Sequence, residues 1–308
     1  MRRRVRVRRR MIVKLKAPTK NYIWGGDKLK EKWHKQSDEN IAESWELSFC
    51  KGDESVVAEG KFAGKKLSDV TTRKDWGKNC NCFDVFPTLV KLIDAKQNLS
   101  VQVHPDDEYA LKNEGQLGKT EMWYILDADD GAGLYLGLNK TMTAEEFLQA
   151  VKDKTVCNFL NFVPVKAGDT YFVQSGTFHA IGAGVTLLEV QQNSTLTYRV
   201  YDFDRVGKDG KPRPLHLDKA MKVGNLNKYI PPDARRGEFL GGCKYFSAYR
   251  YSGEKSLCMP DSYLAVTAIN GDVQVDKLLL QQGETAFVSA GEKICVSGGS
   301  YVVTCVEG

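Results

Sequence analysis

The residues best suited to chemistry begin in the segment 99–107, whose sequence is Leu-Ser-Val-Gln-Val-His-Pro-Asp-Asp. Apolar and polar residues alternate as far as the histidine, and successive side chains of an extended strand point to opposite faces. A strand here places Ser100, Gln102 and His104 on one face and buries the leucine and the valines on the other. Taken alone, the pattern also fits a half-buried strand whose polar face meets solvent.

A second segment supplies complementary groups a short distance along the chain. Lys119, Glu121 and Trp123 alternate with other residues and therefore share one face of a strand. An imidazole, a carboxylate, an amide and an ammonium on neighbouring strands are the groups of a metal site beside an anion site. The two segments together predict such a site.

A third metal ligand is indicated by His179, one of four histidines in the chain. It follows a Gly-Asp turn at Gly168, a short aromatic strand and a Ser-Gly turn at Gly176, and glycine tolerates the positive φ angles of tight turns. This is the spacing of the second cupin motif, G-x5-P-x-G-x2-H, with Gln174 where proline is usual. Two histidines and a glutamate, with Gln102 or water completing the set, predict one divalent metal ion, and such nitrogen and oxygen ligands suit zinc.

Several long blocks of sequence occur in order over most of residues 12–240. These blocks are residues 18–26, 43–48, 86–95, 99–107, 118–126, 176–181 and 187–205. With them the chain resembles the type I mannose-6-phosphate isomerase (phosphomannose isomerase) family, in particular its short bacterial members. It departs from the usual cupin pattern at Gln174 and in the first motif, where Glu121 follows His104 by seventeen residues, an insertion that is expected in this family.

The resemblance implies a metal-dependent isomerase that interconverts mannose 6-phosphate and fructose 6-phosphate without an organic cofactor. It implies one divalent ion, zinc, held by the set His104, Glu121, His179 and Gln102. It implies catalytic roles for Arg199, Lys119 and Glu189, with Glu189 as the expected general base, and substrate contacts from Ser100, Lys91, Arg205 and Trp24.

Arg199 admits two interpretations on the residues alone. Its planar guanidinium suits a phosphate or an oxyanion, and it equally suits a salt bridge within a barrel, with Glu189 or Asp202 as partner. The resemblance favours the first, because the catalytic arginine of the family falls at this position. Whether Arg199 and Lys119 hold the phosphate or stabilise the enediolate stays open.

The pattern along the chain predicts a mainly β double cupin, that is, two jelly-roll β-barrels with a few short helices. Runs rich in valine, tyrosine and threonine are separated by glycine turns. A weak repeat aligns residues 168–176 with 283–291, and no histidine follows His216. We therefore predict a catalytic cupin domain at 11–233 and a smaller C-terminal β-barrel at 234–308 without a histidine-based metal site.

Three short helices are predicted. A capping box at Thr143 opens one that runs to about Asp153. Pro105 and the two aspartates after it favour another, because proline and acidic residues suit a first helical turn. A third spans 215–223 and ends before Gly224.

Positive charge is concentrated in residues 1–10, which hold seven arginines; without them the formal charge of +5 becomes −2. Such runs occur in arms that bind nucleic acid or acidic membranes, but we expect a disordered extension and no nucleic-acid partner. No apolar run approaches the roughly 20 residues that span a bilayer, and the eight cysteines form no CxxC pair. We expect a cytoplasmic protein with free thiols that acts on a small phosphosugar without membrane contact. The oligomeric state is left open.

Two other functions remain open. A cupin oxygenase would use the two histidines and the carboxylate around iron, but it leaves Lys119, Arg199 and Arg205 unexplained, whereas a phosphorylated substrate explains them. A non-catalytic sugar-phosphate sensor would keep the same pocket and bind without turnover.

Overall fold

A computed structural model describes residues 11–207 and 210–308, so the basic extension predicted for 1–10 lies outside the described residues. The chain is mainly β, as predicted, with antiparallel sheets of nine, six and five strands. In chain order the strands are β1 (Ile12–Lys16), β2 (Thr19–Lys20), β3 (Glu43–Leu47), β4 (Val56–Val57), β5 (Thr88–Ala95), β6 (Val101–Val103), β7 (Glu121–Ala128), β8 (Gly133–Leu138), β9 (Leu160–Pro164), β10 (Thr170–Val173), β11 (His179–Ile181), β12 (Val185–Gln192), β13 (Tyr198–Tyr201), β14 (Phe239–Cys243), β15 (Phe246–Ser252), β16 (Lys255–Cys258), β17 (Leu264–Val275), β18 (Leu278–Leu280), β19 (Thr285–Val288) and β20 (Lys293–Cys305).

The helices are few and short. They are α1 (Lys28–Glu31), α2 (Leu67–Val70), α3 (Arg73–Trp76), α4 (Asp107–Glu114), α5 (Ala144–Lys152) and α6 (Leu217–Val223), with 3-10 turns at Gly60–Phe62, Lys78–Cys80 and Val156–Phe159. The three predicted helices are present, and two of them begin two residues later than predicted. Thr143 caps α5 through the capping box. Helix α4 begins at Asp107 with Asp106 as its N-cap, so Pro105 precedes it, and α6 begins at Leu217 and ends before Gly224. No helix in the described part of the chain is long and apolar enough to cross a membrane.

Two of the sheets face each other and form the first barrel. The six-stranded sheet has the order β10-β7-β12-β5-β3-β2, and the five-stranded sheet has the order β13-β6-β11-β8-β9. Ile93 and Leu187 of the first sheet share one buried cluster with Leu134 and Leu136 of the second. The interior of this barrel is therefore packed between the sheets, and the polar residues that point inward share it.

The outer face of the six-stranded sheet is also covered. Met122 and Val190 belong to a cluster that contains Phe246 and Phe287 of the nine-stranded sheet. Because both faces are buried, every residue of β5 and β12 is buried, including the charged ones. Alternate residues of the central strands therefore serve the barrel interior and the contact between the two halves.

The nine-stranded sheet is not built from the C-terminal segment alone. Its order is β14-β15-β20-β17-β19-β1-β4, with β16 on β20 and β18 on β17. Strand β1 pairs with β19, from Ile12 opposite Val288, and β4 pairs with β1. Two strands inside the predicted domain 11–233 thus lie in the sheet of the other half. A division at 233 stays a prediction, and it does not separate the sheets cleanly.

The weak internal repeat corresponds to two similar turns. Gly168 and Gly283 both have φ of 90°, and Gly176 and Gly291 have φ of 82° and 75°. Strand β10 lies between the first pair of glycines and β19 between the second. Residues with side chains adopt these angles poorly, so the glycine spacing in the sequence reflects the same strand-and-turn unit in each half.

Candidate metal centre and substrate cavity

The three predicted metal ligands come together inside the first barrel. His104 follows β6 and His179 begins β11, its neighbour in the five-stranded sheet, whereas Glu121 begins β7 in the sheet opposite. The Glu121 carboxylate lies 3.1 Å from Nε2 of His179 and 3.6 Å from Nε2 of His104. All three residues are buried, with candidate ligand atoms within 4.8 Å of one another, and residues 11–207 and 210–308 contain no second group of this kind.

Backbone carbonyls set the orientation of both imidazoles. Nδ1 of His104 lies 2.7 Å from the carbonyl oxygen of Leu196, and Nδ1 of His179 lies 2.9 Å from that of Thr177. A carbonyl only accepts, so each Nδ1 carries the proton and donates it. Burial and the Lys119 ammonium hold the pKa of His104 well below its ordinary value. The lone pair of each Nε2 is therefore directed at the common centre, as in metal sites where the second nitrogen is fixed by a backbone acceptor.

Glu121 supplies the test of whether these residues fit a metal. Both of its carboxylate oxygens are buried, and neither accepts a hydrogen bond of good geometry. Burial raises the pKa of Glu121, but positive charge beside it, that of the Lys119 ammonium above all, holds the pKa well below its ordinary range. The Lys119 ammonium lies 2.6 Å from Oε2 but outside hydrogen-bond geometry, so both oxygens of this buried ionised carboxylate keep acceptor capacity that a bound cation would use. With two imidazole nitrogens the carboxylate forms a donor set that fits zinc.

Gln102 lies beside this group but presents its amide nitrogen. Its Nε2 is 3.3 Å from Nε2 of His179, and its Oε1 is 3.4 Å from the Ser100 hydroxyl, which donates to it. The two ends of an amide exchange by a half-turn, which would direct the oxygen at the centre. Gln102 as a fourth ligand therefore stays a prediction.

Lys119 connects the metal centre with Glu189. Its Nζ lies 2.6 Å from Oε2 of Glu121, 3.1 Å from Nε2 of His104 and 3.9 Å from Oε1 of Glu189. Lys119 precedes β7 instead of lying within it, since the strand begins at Glu121. Lys119 and Glu121 were predicted to share one face, and their side chains are in contact.

Glu189 is held by groups on both neighbouring strands. The indole N–H of Trp123 donates to its Oε1 at 2.9 Å, and Nζ of Lys91 lies 3.2 Å from its Oε2. Burial raises the pKa of Glu189, the two lysines oppose this, and the pKa remains raised. Lys91 also lies 3.5 Å from Glu43, and the two carboxylates outweigh burial and raise the pKa of Lys91. Glu189 is thus a buried carboxylate whose proton affinity is set by its neighbours.

A cavity of about 470 Å³ contains most of the predicted catalytic and substrate residues. The predicted residues that line it are Trp24, Lys91, Ser100, Gln102, Lys119, Glu189 and Arg199. Arg205 is not among the lining residues. Its guanidinium instead binds the Asp202 carboxylate and the backbone carbonyl of Asn98. The structure therefore does not bring Arg205 to the cavity.

Arg199 has no carboxylate partner among the described residues. Its Nε donates to the Ser100 hydroxyl at 3.3 Å and its Nη1 donates to the carbonyl of Pro214 at 3.0 Å. Asp202, one of the two partners considered for a salt bridge, is bound by Arg205 and Arg213. Burial and the positive charge of Arg213 lower the pKa of Arg199. The guanidinium thus faces the cavity with its charge uncompensated, which favours an anion-binding role.

Several residues that line the cavity were not predicted from the sequence. They are Lys20, Tyr22, Glu43, Trp45, Asp53, Ile93, Leu99, Ile181, Thr195, Thr197 and Arg213. Glu43 and Trp45 alternate within β3, so the same period-two pattern could have placed them together. The indole of Trp45 donates to Glu43 at 2.7 Å. Arg213 lies in the segment between β13 and α6, and no sequence pattern indicates that it, and not Arg205, lines the cavity.

The chain is similar in sequence to known proteins. Residues 12–131 match the family described as phosphomannose isomerase type I, catalytic domain. The chain is 36% identical over 278 residues to the mannose-6-phosphate isomerase of Streptococcus mutans, which covers 85% of this chain and 87% of that relative.

Solved structures agree in architecture. The mannose 6-phosphate isomerase from Bacillus subtilis superposes with a TM-score of 0.84 at 30% identity and covers 96% of this chain and 99% of that chain. A mannose 6-phosphate isomerase crystallised bound with zinc and yttrium superposes with a TM-score of 0.76 at 17% identity, covering 96% of this chain and 99% of that chain. At that identity the second likeness is one of fold.

Proposed function

The chain belongs to the type I phosphomannose isomerase family, and from that premise we propose which of its residues carry out the reaction. It is an isomerase that interconverts mannose 6-phosphate and fructose 6-phosphate. One observation supports most strongly the proposal that the reaction takes place in the substrate cavity. The cavity has the guanidinium of Arg199 in its wall, and its lining residue Lys119 is in contact with the buried donor set of two imidazoles and a carboxylate.

His104, Glu121 and His179 are the residues that would hold the divalent ion, with Gln102 or water beside them. Their two nitrogens and one carboxylate support zinc. A bound ion would supply Lewis-acid polarisation of the sugar's oxygens and so lower the free energy of the enediolate. Lys119, 2.6 Å from Glu121, adds a second positive charge at the same place.

Glu189 moves the proton. The open-chain aldose becomes the ketose when a base removes the proton from C2 and returns it to C1, while a hydroxyl proton passes from O2 to O1. Glu189 lines the cavity, and burial raises its pKa, which makes the ionised carboxylate a stronger base. Trp123 and Lys91 hold its two oxygens and so fix the direction of its lone pairs.

The two arginines of the cavity have different tasks: Arg213 binds the phosphate, and Arg199 stabilises the enediolate. Both line the cavity, and the Ser100 hydroxyl lies against Arg199. A guanidinium offers a phosphate two parallel donors. Asp202 neutralises only one of the two positive charges of Arg205 and Arg213, and no carboxylate among the described residues neutralises Arg199. An oxygenase would have no use for this excess of positive charge.

The partner is therefore a small sugar phosphate. We also propose that the protein acts in the cytoplasm, since sugar phosphates are intracellular metabolites and all eight cysteines are free thiols.

A coupled assay tests the proposal directly. Purified protein is dialysed against a chelator, and fructose 6-phosphate formation from mannose 6-phosphate is followed before chelation, after it, and after zinc is restored. We expect activity to disappear and return with the metal. Binding of mannose 6-phosphate without turnover by folded, zinc-loaded protein would instead identify a sensor.

A further inference from the structure

A second cavity, of about 540 Å³, lies between the two halves of the molecule. Its walls come from the outer face of β7, from the segment that follows α1, and from strands β15, β17 and β20 of the nine-stranded sheet. No residue lines both this interdomain cavity and the substrate cavity. Its size is similar to that of the first cavity, so a molecule as large as the substrate fits it.

The cations of the interdomain cavity differ in how their charge is balanced. Lys32 lies 2.7 Å from Asp127, and Arg236, at the same cavity, lies 2.6 Å from Asp169. Arg250 has no carboxylate within salt-bridge distance among residues 11–207 and 210–308. One positive charge in this cavity is therefore uncompensated.

The contacts of Arg250 are with neutral groups. Its Nη2 donates to the Ser300 hydroxyl at 3.3 Å, and its guanidinium lies against the hydroxyl of Tyr124. Its Nε is buried and donates to no acceptor. Arg250 lines the cavity, and a bound anion is favourable beside a guanidinium in a recess that has no carboxylate partner.

We propose that the interdomain cavity is a second ligand site, which takes a small hydroxylated anion of sugar size. Arg250 pairs with the phosphate or carboxylate group, because its planar fork matches either. The Ser300 and Tyr124 hydroxyls and the exposed amide of Asn270 bind the ligand's hydroxyl groups. Strand β7 carries Tyr124 to this cavity and Glu121 to the metal centre on its other face, so the site is separate from the catalytic one but shares a strand with it.

Calorimetric titration of the full-length protein tests the site. Glycerol phosphate and gluconate serve as the phosphate and carboxylate probes, and mannitol is the uncharged control. We expect a binding event in an Arg199→Met variant, whose substrate cavity has lost one of its two arginines, and no heat from mannitol. The tighter of the two anions identifies the preferred class.

Substitutions in the interdomain cavity show whether the anion binds there. Added to the Arg199→Met background, Arg250→Met should weaken anion binding by about tenfold or more, the effect of losing a charged hydrogen-bond partner. Lys277→Met, which removes an exposed cation elsewhere, should leave it unchanged. In the otherwise native enzyme, Arg250→Met should keep kcat within about twofold, because Arg250 lies outside the substrate cavity.

Two further variants keep the test decisive if Arg250→Met does not fold. Arg250→Lys keeps the charge and loses the two-point geometry, and Asn270→Ala alters an exposed side chain. Each variant should bind the anion probe several-fold more weakly and should keep the melting temperature unchanged. The second site would be ruled out if all the variants of the interdomain cavity bound the anion as tightly as their Arg199→Met background, or if the Arg199→Met protein bound no anion. Either result would leave the isomerase assignment unchanged.

Discussion

The indole N–H of Trp123 donates to Oε1 of Glu189 at 2.9 Å, between residues that are directly paired on β7 and β12. The same strand begins with Glu121, a candidate metal ligand, two residues earlier. Because the two side chains share a face, β7 sets both the position of the metal centre and the orientation of the proposed base. The distance between them is thus fixed by the sheet and does not depend on a loop.

Trp123→Phe should shift the acid limb of the pH–rate profile upward. A hydrogen bond donated to a carboxylate favours the ionised form, so its loss raises the pKa of Glu189 further. A base acts only when ionised, so kcat/KM at acidic pH falls, and the limb moves by about one pH unit. The profile is measured between pH 5 and 9. Trp33→Phe, which removes a buried indole outside the substrate cavity, is the control, and an unmoved limb in Trp123→Phe would show that Glu189 is not the base.

His104→Ala, Glu121→Ala and His179→Ala should each lose metal and activity together. The three side chains supply all the donor atoms of the buried group, and removal of one leaves too few for tight binding. Zinc content is measured by elemental analysis beside turnover. His34→Asn, at an exposed histidine with φ of 54°, a backbone conformation that asparagine tolerates, is the matched control. Full occupancy in all three alanine variants would show that the ligands lie elsewhere.

The metal ligands could be predicted from the sequence because local rules fix them. Strand alternation placed His104 and Glu121 on inward faces, and the glycines at 168 and 176 marked the turns before His179. Arg205 could not be placed this way. Phe203 and Asp204 have φ of 55° and 54°, left-handed angles that no pattern of residue types signals, and they turn the loop after β13.

The pairing of strands that are distant in the sequence could not be predicted either. Strand β1 pairs with β19 although more than 260 residues separate them, and nothing in the local composition of residues 12–16 names that partner. The choice depends on which edge of the nine-stranded sheet is left unpaired, and that is a property of the assembled fold.

Arg213→Met should raise KM for mannose 6-phosphate about tenfold and change kcat less. Arg213 lines the cavity, and a phosphate contact that is the same in ground and transition states affects binding alone. Arg205→Met is the matched control, since Arg205 shares Asp202 with Arg213 but does not line the cavity. Steady-state kinetics and melting temperatures are measured for both. A larger rise in KM for Arg205→Met would return the phosphate contact to Arg205.

Asp94→Asn should remove a fall in stability between about pH 4 and pH 6. Burial raises the pKa of Asp94 from 3.8 to about 6, against the N–H of Lys28, which donates to it at 2.8 Å. In this window the folded protein retains a proton that the unfolded chain releases, so the free energy of unfolding decreases as the pH rises. Asparagine does not titrate and lacks this decrease.

Urea unfolding between pH 4 and 7.5 measures the difference. The free energy of unfolding of the wild type minus that of Asp94→Asn should decrease up to pH 6 and then level. Asp69→Asn, at an exposed carboxylate, should run parallel to the wild type over the same range. A difference that is constant or that increases with pH would contradict the assignment.

Arg199→Ala should lower turnover more than it weakens substrate binding. The Arg199 guanidinium is uncompensated in the cavity wall, and the Ser100 hydroxyl and the Pro214 carbonyl hold it in place before substrate arrives. A preorganised cation that stabilises the enediolate acts mainly in the transition state, so its loss lowers kcat. Removal of one such partner typically costs about 100- to 1000-fold in turnover.

Turnover, KM and zinc content are measured for Arg199→Ala and Arg199→Lys. Zinc and the melting temperature should be retained, because Arg199 contacts none of the three metal ligands. Lysine should restore only part of the rate, since an ammonium cannot offer two parallel donors. Near-normal kcat with a greatly raised KM would make Arg199 a phosphate contact, and Lys119, between Glu121 and Glu189, would then be the cation that stabilises the enediolate.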